Sequence, residues 1–146
     1  DTIYGGAGND IIVAGAGDDI IYGGSGDDII STGSGNDTIM YNLLNAADAT
    51  GGNGTDTWID YAGNDTIKFR AGFFDGLLSS DLGDVSKVGE FITVEDDGKG
   101  NTVIKVDRDG ANVTTGGTHD FADLLVIEKT NLSLQDLLNN NQIIIG

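Results

Sequence analysis

The apolar positions in the first half of the chain recur every nine residues, a period that fits neither an amphipathic helix nor a long strand. Residues 5–40 divide without a gap into GGAGNDIIV, AGAGDDIIY, GGSGDDIIS and TGSGNDTIM. The eighth place is always Ile: Ile12, Ile21, Ile30 and Ile39, with Ile3 in the same place of the opening DTIY. A triplet such as IIV predicts a very short strand. Strands this short cannot stand alone. Stacked copies can pair them in parallel and bury the Ile column. Turn, strand, turn, strand makes one coil from two copies, or 18 residues. Copy n then lies over copy n+2.

The pattern lapses over 41–50, where YNLLNAADAT has no Gly and reads as an insertion or a short helix. Two degenerate copies follow, GGNGTDTWI at 51–59 and DYAGNDTIK at 60–68. Trp58 and Ile67 hold the eighth place. The second copy has lost its leading glycines and is expected to close the solenoid. After Phe69 the texture changes. DGLLSSDL at 75–82 is a short amphipathic stretch, a loop or one helical turn. FITVE at 91–95 and TVIKVD at 102–107 alternate as strands do, with DDGKGN between them as a hairpin turn. A Gly- and Thr-rich loop at 110–118 leads to a strand, DLLVIE, at 123–128. Ser133 can cap a short helix, with Asp136 at capping-box spacing, and QIIIG ends the chain as an apolar strand packed inside. The pattern predicts a mainly β protein in two parts. Residues 1–68 form a parallel β-roll, and residues 69–146 a β-rich capping region with short helices packed on it.

Charge sharpens this picture. The chain carries 24 Asp plus Glu against 7 Lys plus Arg, a net charge of −17. Nucleic acid is excluded as a partner, because phosphate contacts need Lys and Arg. Anionic membrane surfaces are disfavoured too. Neither an 18-residue apolar run nor a basic, apolar leader is present. The chain opens inside a repeat, which predicts a piece of something longer. Gly is abundant (24 residues) and Pro and Cys are absent, which suggests repeated tight turns without disulfides or thiolate sites.

The acidic residues fall in register with the repeat. Asp10, Asp19, Asp28 and Asp37 hold the sixth place, Asp1 holds it in the truncated copy, and Asp56 and Asp65 hold it in the degenerate ones. Stacking would place Asp1, Asp19 and Asp37 along one edge and Asp10 and Asp28 along the other. Strands in a sheet lie about 4.8 Å apart. Carboxylates at that spacing repel unless a cation lies between them. Calcium takes 6 to 8 oxygens, backbone carbonyls included. The turns around Gly6, Gly8, Gly15, Gly17, Gly24, Gly26, Gly33 and Gly35 can supply the carbonyls. The fifth-place Asn9, Asp18, Asp27 and Asn36 complete the candidate metal set. Zinc is a poor fit, since Cys is absent and His119 stands alone as a solvated loop residue. Magnesium holds its waters in a tight octahedron, which suits stacked turns poorly. The bland alternative is that the sixth-place Asp merely caps each turn. Identical spacing in every copy favours ions.

Residues 1–68 resemble the RTX (repeats-in-toxin) calcium-binding β-roll, whose GGxGxDxUx nonapeptide they repeat. Residues 51–146, from GTDTWIDYAGNDTIKF through FITVEDDGKGNTVIKVDRDG and DLLVIE to LSLQDLLNNNQIIIG, are similar to the C-terminal target domain of type I secreted RTX adhesins. The resemblance implies several bound calcium ions and a monomeric module at the surface of a Gram-negative bacterium. It implies export through an ABC transporter, a periplasmic adaptor and an outer-membrane channel, led by an uncleaved C-terminal signal. It also implies that the chain folds only outside the cell, where calcium is abundant.

Other readings are weaker. No HExxH or GxSxG is present, and no second His could serve a Ser–His pair, so an enzyme is not expected. Asp107 and Asp109 in DRDG suit a turn better than an EF-hand loop, because Gly110 sits fourth instead of sixth. No rank of Thr exists that would fit ice. Related RTX modules attached to polysaccharide-modifying enzymes bind sugar polymers. Here Tyr4 and Tyr22, two copies apart on one edge, could stack on a sugar or simply pack at the strand ends.

Overall fold

The computed structural model describes residues 1–45, 48, 50–110 and 121–146. Each repeat triplet forms a short strand: β1 (Thr2–Tyr4), β2 (Ile11–Val13), β3 (Ile20–Tyr22), β4 (Ile29–Ser31), β5 (Thr38–Tyr41), β6 (Asp56–Trp58) and β7 (Thr66–Phe69). The odd strands join in one parallel sheet, β1-β3-β5-β7, and the even strands in another, β2-β4-β6. Ile3 pairs with Ile21, Ile12 with Ile30, and Ile21 with Ile39. Copy n therefore stacks on copy n+2, and the architecture is a parallel β-roll.

The eighth-place side chains point inward because neighbours in a strand face opposite ways. In β2, Ile12 is buried while Ile11 and Val13 on either side are exposed. Trp58 and Ile67 continue the two columns, opposite Ile30 and Ile39. These partners are 28 residues apart instead of 18, the difference being the ten residues 41–50. That segment is an insertion, and its described residues contain no helix. The amides of Leu44 and Asn45 both donate to the Gly51 carbonyl at 2.7 Å, which folds the loop back onto the roll.

The copy at 60–68 does not close the solenoid. Beyond β7 lies β11 (Ile143–Ile145), parallel to it with Ile143 opposite Ile67, and beyond β6 lies β10 (Ala122–Ile127), with Ile127 opposite Trp58. Phe69 and Ile67 leave an apolar rung and free backbone groups that β11 satisfies, the Ile67 amide donating to Gln142 O at 2.8 Å. Both sheets thus run on into the C-terminal half. On the far side of β10 sits an antiparallel hairpin, β9 (Thr102–Val106) and β8 (Ile92–Asp96). A 3₁₀ turn at Ser79–Asp81 and two helices, α1 (Val85–Val88) and α2 (Leu134–Asn139), flank it. Ser133 caps α2, accepting from the Asp136 amide at 3.1 Å. The narrow Ile core of the roll widens here into an aromatic cluster of Tyr41, Phe69, Phe73, Phe74 and Phe91. His119 and most of the 110–118 loop lie outside the described residues.

Candidate metal centre

Each sixth-place Asp sits where a turn enters a strand, so stacking turns brings carboxylate over carboxylate. From Asp19 onward, one oxygen of each is spent on this stacking. The amide of Asp10 donates to Asp28 Oδ1 and that of Asp19 to Asp37 Oδ1, both at 2.9 Å. The pattern continues across the insertion, from Asp28 N to Asp56 Oδ1 and from Asp37 N to Asp65 Oδ1, both at 3.0 Å. The nitrogen of Asp1 makes the same contact with Asp19, while Asp1 itself is exposed. The two columns are therefore Asp1–Asp19–Asp37–Asp65 and Asp10–Asp28–Asp56.

The second oxygens divide these residues. Oδ2 of Asp10, Asp19, Asp28 and Asp37 is buried and has no hydrogen-bond partner. Asp19, Asp28 and Asp37 are each only 1% exposed. An unsatisfied buried polar atom costs on the order of 1–3 kcal/mol, and more when charged. Burial pushes the Asp28 carboxyl above the ordinary carboxylate range; the Asp10 amide pulls it back, and the Asp10 charge adds to the rise. Four such atoms in two ranks define a place for positive charge.

The surroundings fit a hard cation. A Cβ on Gly23 would lie 2.6 Å from Asp28 Oδ2, and one on Gly5 would lie 3.0 Å from Asp10 Oδ2. These carboxylates lean into space that any side chain would fill. No three His, Cys, Asp or Glu side chains converge among the described residues, so backbone carbonyls must complete any coordination shell. The turns supply them. The carbonyls of Gly6 and Gly15 accept from the amides of Ser25 and Ser34 at 3.0 and 3.1 Å, and each keeps a second lone pair. Turns can stack this closely because of glycine. Gly24 has φ of +95°, and a Cβ there would collide with the Gly6 carbonyl.

The fifth-place residues stand apart, on the exposed rim. Asn9 Oδ1 accepts from the Asp27 amide and Asp18 Oδ1 from the Asn36 amide, both at 2.8 Å. Asp27 Oδ1 and Asn36 Oδ1 accept from Thr55 N and Asn64 Nδ2 at 3.0 and 2.7 Å. They form rungs between turns, outside the buried oxygens.

Asp56 and Asp65 differ from the other column members. Asp56 Oδ2 accepts from the Tyr41 hydroxyl at 3.0 Å, and Asp65 Oδ2 from the Ala62 amide at 2.8 Å. Burial raises Asp56 to about 7, with the Asp28 charge adding to the rise against the pull of the Asp28 amide and the Tyr41 hydroxyl. Burial, together with the Asp56 charge, holds the Tyr41 phenol well above its usual range. Sequence reasoning also missed Asp60, which accepts from Ser31 Oγ and the amides of Thr32 and Gly33 at 2.7–3.0 Å. A carboxylate in the first place of a nonamer, where the other copies have Gly, Ala or Thr, was the available signal.

Comparison with known proteins agrees with this geometry. Residues 4–39 and 50–68 match the RTX calcium-binding nonapeptide repeat, in four copies. The fold over 99% of the chain is similar to the solution structure of the AlgE6R3 subunit from the Azotobacter vinelandii mannuronan C5-epimerase, with a TM-score of 0.53, 24% identity and 72% of that chain covered. Among curated proteins none matches the chain in sequence. The first part of the chain is thus built from calcium-binding RTX repeats, carried on a β-roll.

Proposed function

We propose that this chain is a calcium-dependent folding module of a secreted bacterial protein, non-enzymatic itself, with residues 69–146 acting as a type I export signal. The observation that carries the calcium half is the set of four buried, unpartnered carboxylate oxygens on Asp10, Asp19, Asp28 and Asp37. Where calcium is scarce these oxygens oppose folding, and the chain stays threadable through an ABC transporter, its adaptor and an outer-membrane channel. Outside the cell, extracellular calcium modules bind at about 10⁻⁴ to 10⁻³ M. Each independent site at 100 times its dissociation constant adds about 2.7 kcal/mol. Folding then prevents the chain from sliding back. The order of C-terminal elements, ending in the apolar β11, supports a parent of the adhesin kind. Circular dichroism during a calcium titration tests the reading: β signal should grow with calcium and vanish with chelator, and a spectrum indifferent to chelation refutes it. A passenger fused ahead of the chain should leave cells only when a type I transporter is present.

One observation favours a second reading, recognition of polysaccharide. Tyr4 and Tyr22 stack at 4.6 Å beside a cleft of about 540 Å³ lined also by Asn42, Asn45 and Asn53. Tyr4 is 71% exposed. A glycan array decides it, with loss of binding in Tyr4→Ala as the specific result.

A further inference from the structure

We infer that Asp56 and Asp65 hold no ion, and that the Tyr41 hydroxyl and the Ala62 amide stand where an ion would otherwise meet their second oxygens. The inference rests on the calcium reading above and divides its carboxylates into two kinds. All six of Asp10, Asp19, Asp28, Asp37, Asp56 and Asp65 share one register, and all but Asp10 are 1% exposed. In the sequence all six hold the sixth place of a copy, Asp56 and Asp65 in the two degenerate ones. Four have an Oδ2 without a partner, and two do not.

The donors have local causes. Tyr41 is the first residue after the regular copies, where the nonamer would begin with a small residue. It ends β5, lies 2% exposed and packs at 5.7 Å against Phe69. Its ring is held by the C-terminal aromatic core, and its hydroxyl reaches Asp56 across the roll. At Asp65 the leading glycine pair has become Asp60 and Tyr61, with Ala62 in the third place. The turn now closes on itself: the Asp65 amide donates to Ala62 O at 3.0 Å while Asp65 Oδ2 accepts the Ala62 amide. A hydrogen-bonded carboxylate oxygen no longer carries the penalty that favours an ion at the other four. The two columns therefore change, at the same level of the roll, from sites that need a cation to sites completed by the chain's own N–H and O–H groups.

Equilibrium dialysis against calcium, with bound metal counted per chain, tests this on the whole chain. Asp28→Asn should lower the count by at least one ion. Asp56→Asn should leave it unchanged, because the Tyr41 hydroxyl can turn to pair with an amide. Asp37→Asn and Asp65→Asn repeat the contrast in the other column, should one variant fail to fold. Loss of an ion in both Asp56→Asn and Asp65→Asn overturns the inference while leaving the calcium reading intact. A wild-type chain that binds no calcium overturns the calcium reading itself.

Discussion

The repeats and the C-terminal half share two continuous sheets but are held together differently. A repeat strand such as β2 buries one side chain, Ile12, between an Ile11 that is 78% exposed and a Val13 that is 71% exposed. One buried Ile contributes about 1.5–3 kcal/mol. Ordering each residue of the copy costs about 1–2 kcal/mol in backbone entropy. The hairpin strand β9 buries four of its five residues, and the aromatic cluster lies beside it. Two acids at the exposed hairpin tip are also well satisfied: Asp96 and Asp97 accept from the Gly98 and Lys99 amides at 2.9 and 2.7 Å. The difference teaches where the ion is needed. A copy with one apolar side chain and a buried, half-satisfied carboxylate requires an outside partner, and the C-terminal half does not.

The largest test of this contrast is chelation followed by hydrogen exchange. Amides of Ile12, Ile21 and Ile30 should lose protection when calcium is removed, while those of Ile104, Val106 and Leu125 keep most of theirs. Equal loss in both groups would break the comparison and make the chain one cooperative unit.

A smaller effect is expected where the two regions meet. Trp58 is fully buried between Ile30 and Ile127, donates from Nε1 to Thr32 Oγ1 at 3.2 Å, and meets the Tyr61 ring edge-on at 5.2 Å. It is an eighth-place residue of the repeats and a core residue of the C-terminal half at once. Trp58→Ala should cost about 3–5 kcal/mol in urea unfolding with calcium present. A cost under about 1 kcal/mol would mean that the halves do not share a core.

Much of this was legible in the sequence, for a physical reason. A strict nine-residue period leaves one way to stack, so the Ile columns, the two Asp columns and the insertion at 41–50 follow from spacing. The hairpin of β8 and β9, the Ser133 cap and the burial of Ile143 and Ile145 followed from alternation and turn chemistry. What spacing could not show is where a side chain from outside the register intrudes. Tyr41 looks like the start of a lapse, and only its packing against Phe69 aims the hydroxyl at Asp56. Asp60 looks like a defective first position, and only the stacked turn places Ser31, Thr32 and Gly33 beneath it. The pairing of β11 with β7 joins segments about 76 residues apart, a contact that no local pattern encodes.

The smallest effect expected is a pH dependence that is strongest in the calcium-free chain. Asp56 has a folded value of about 7 against an ordinary 3.8, chiefly because it is buried. Burial also raises Asp28 and Asp65. A carboxyl raised on folding binds its proton more tightly in the native state than in the unfolded one. Between about pH 4 and pH 7 the native state therefore holds more protons, and stability rises as pH falls through that window. The calcium-free protein should melt higher at pH 5 than at pH 7.5, by less than Trp58→Ala lowers the melting temperature. Asp56→Asn should remove part of the rise, because an amide cannot titrate. With calcium present the rise should shrink, since a proton on Asp28 then competes with the ion. The same pH slope with and without calcium would mean that Asp28 holds no ion.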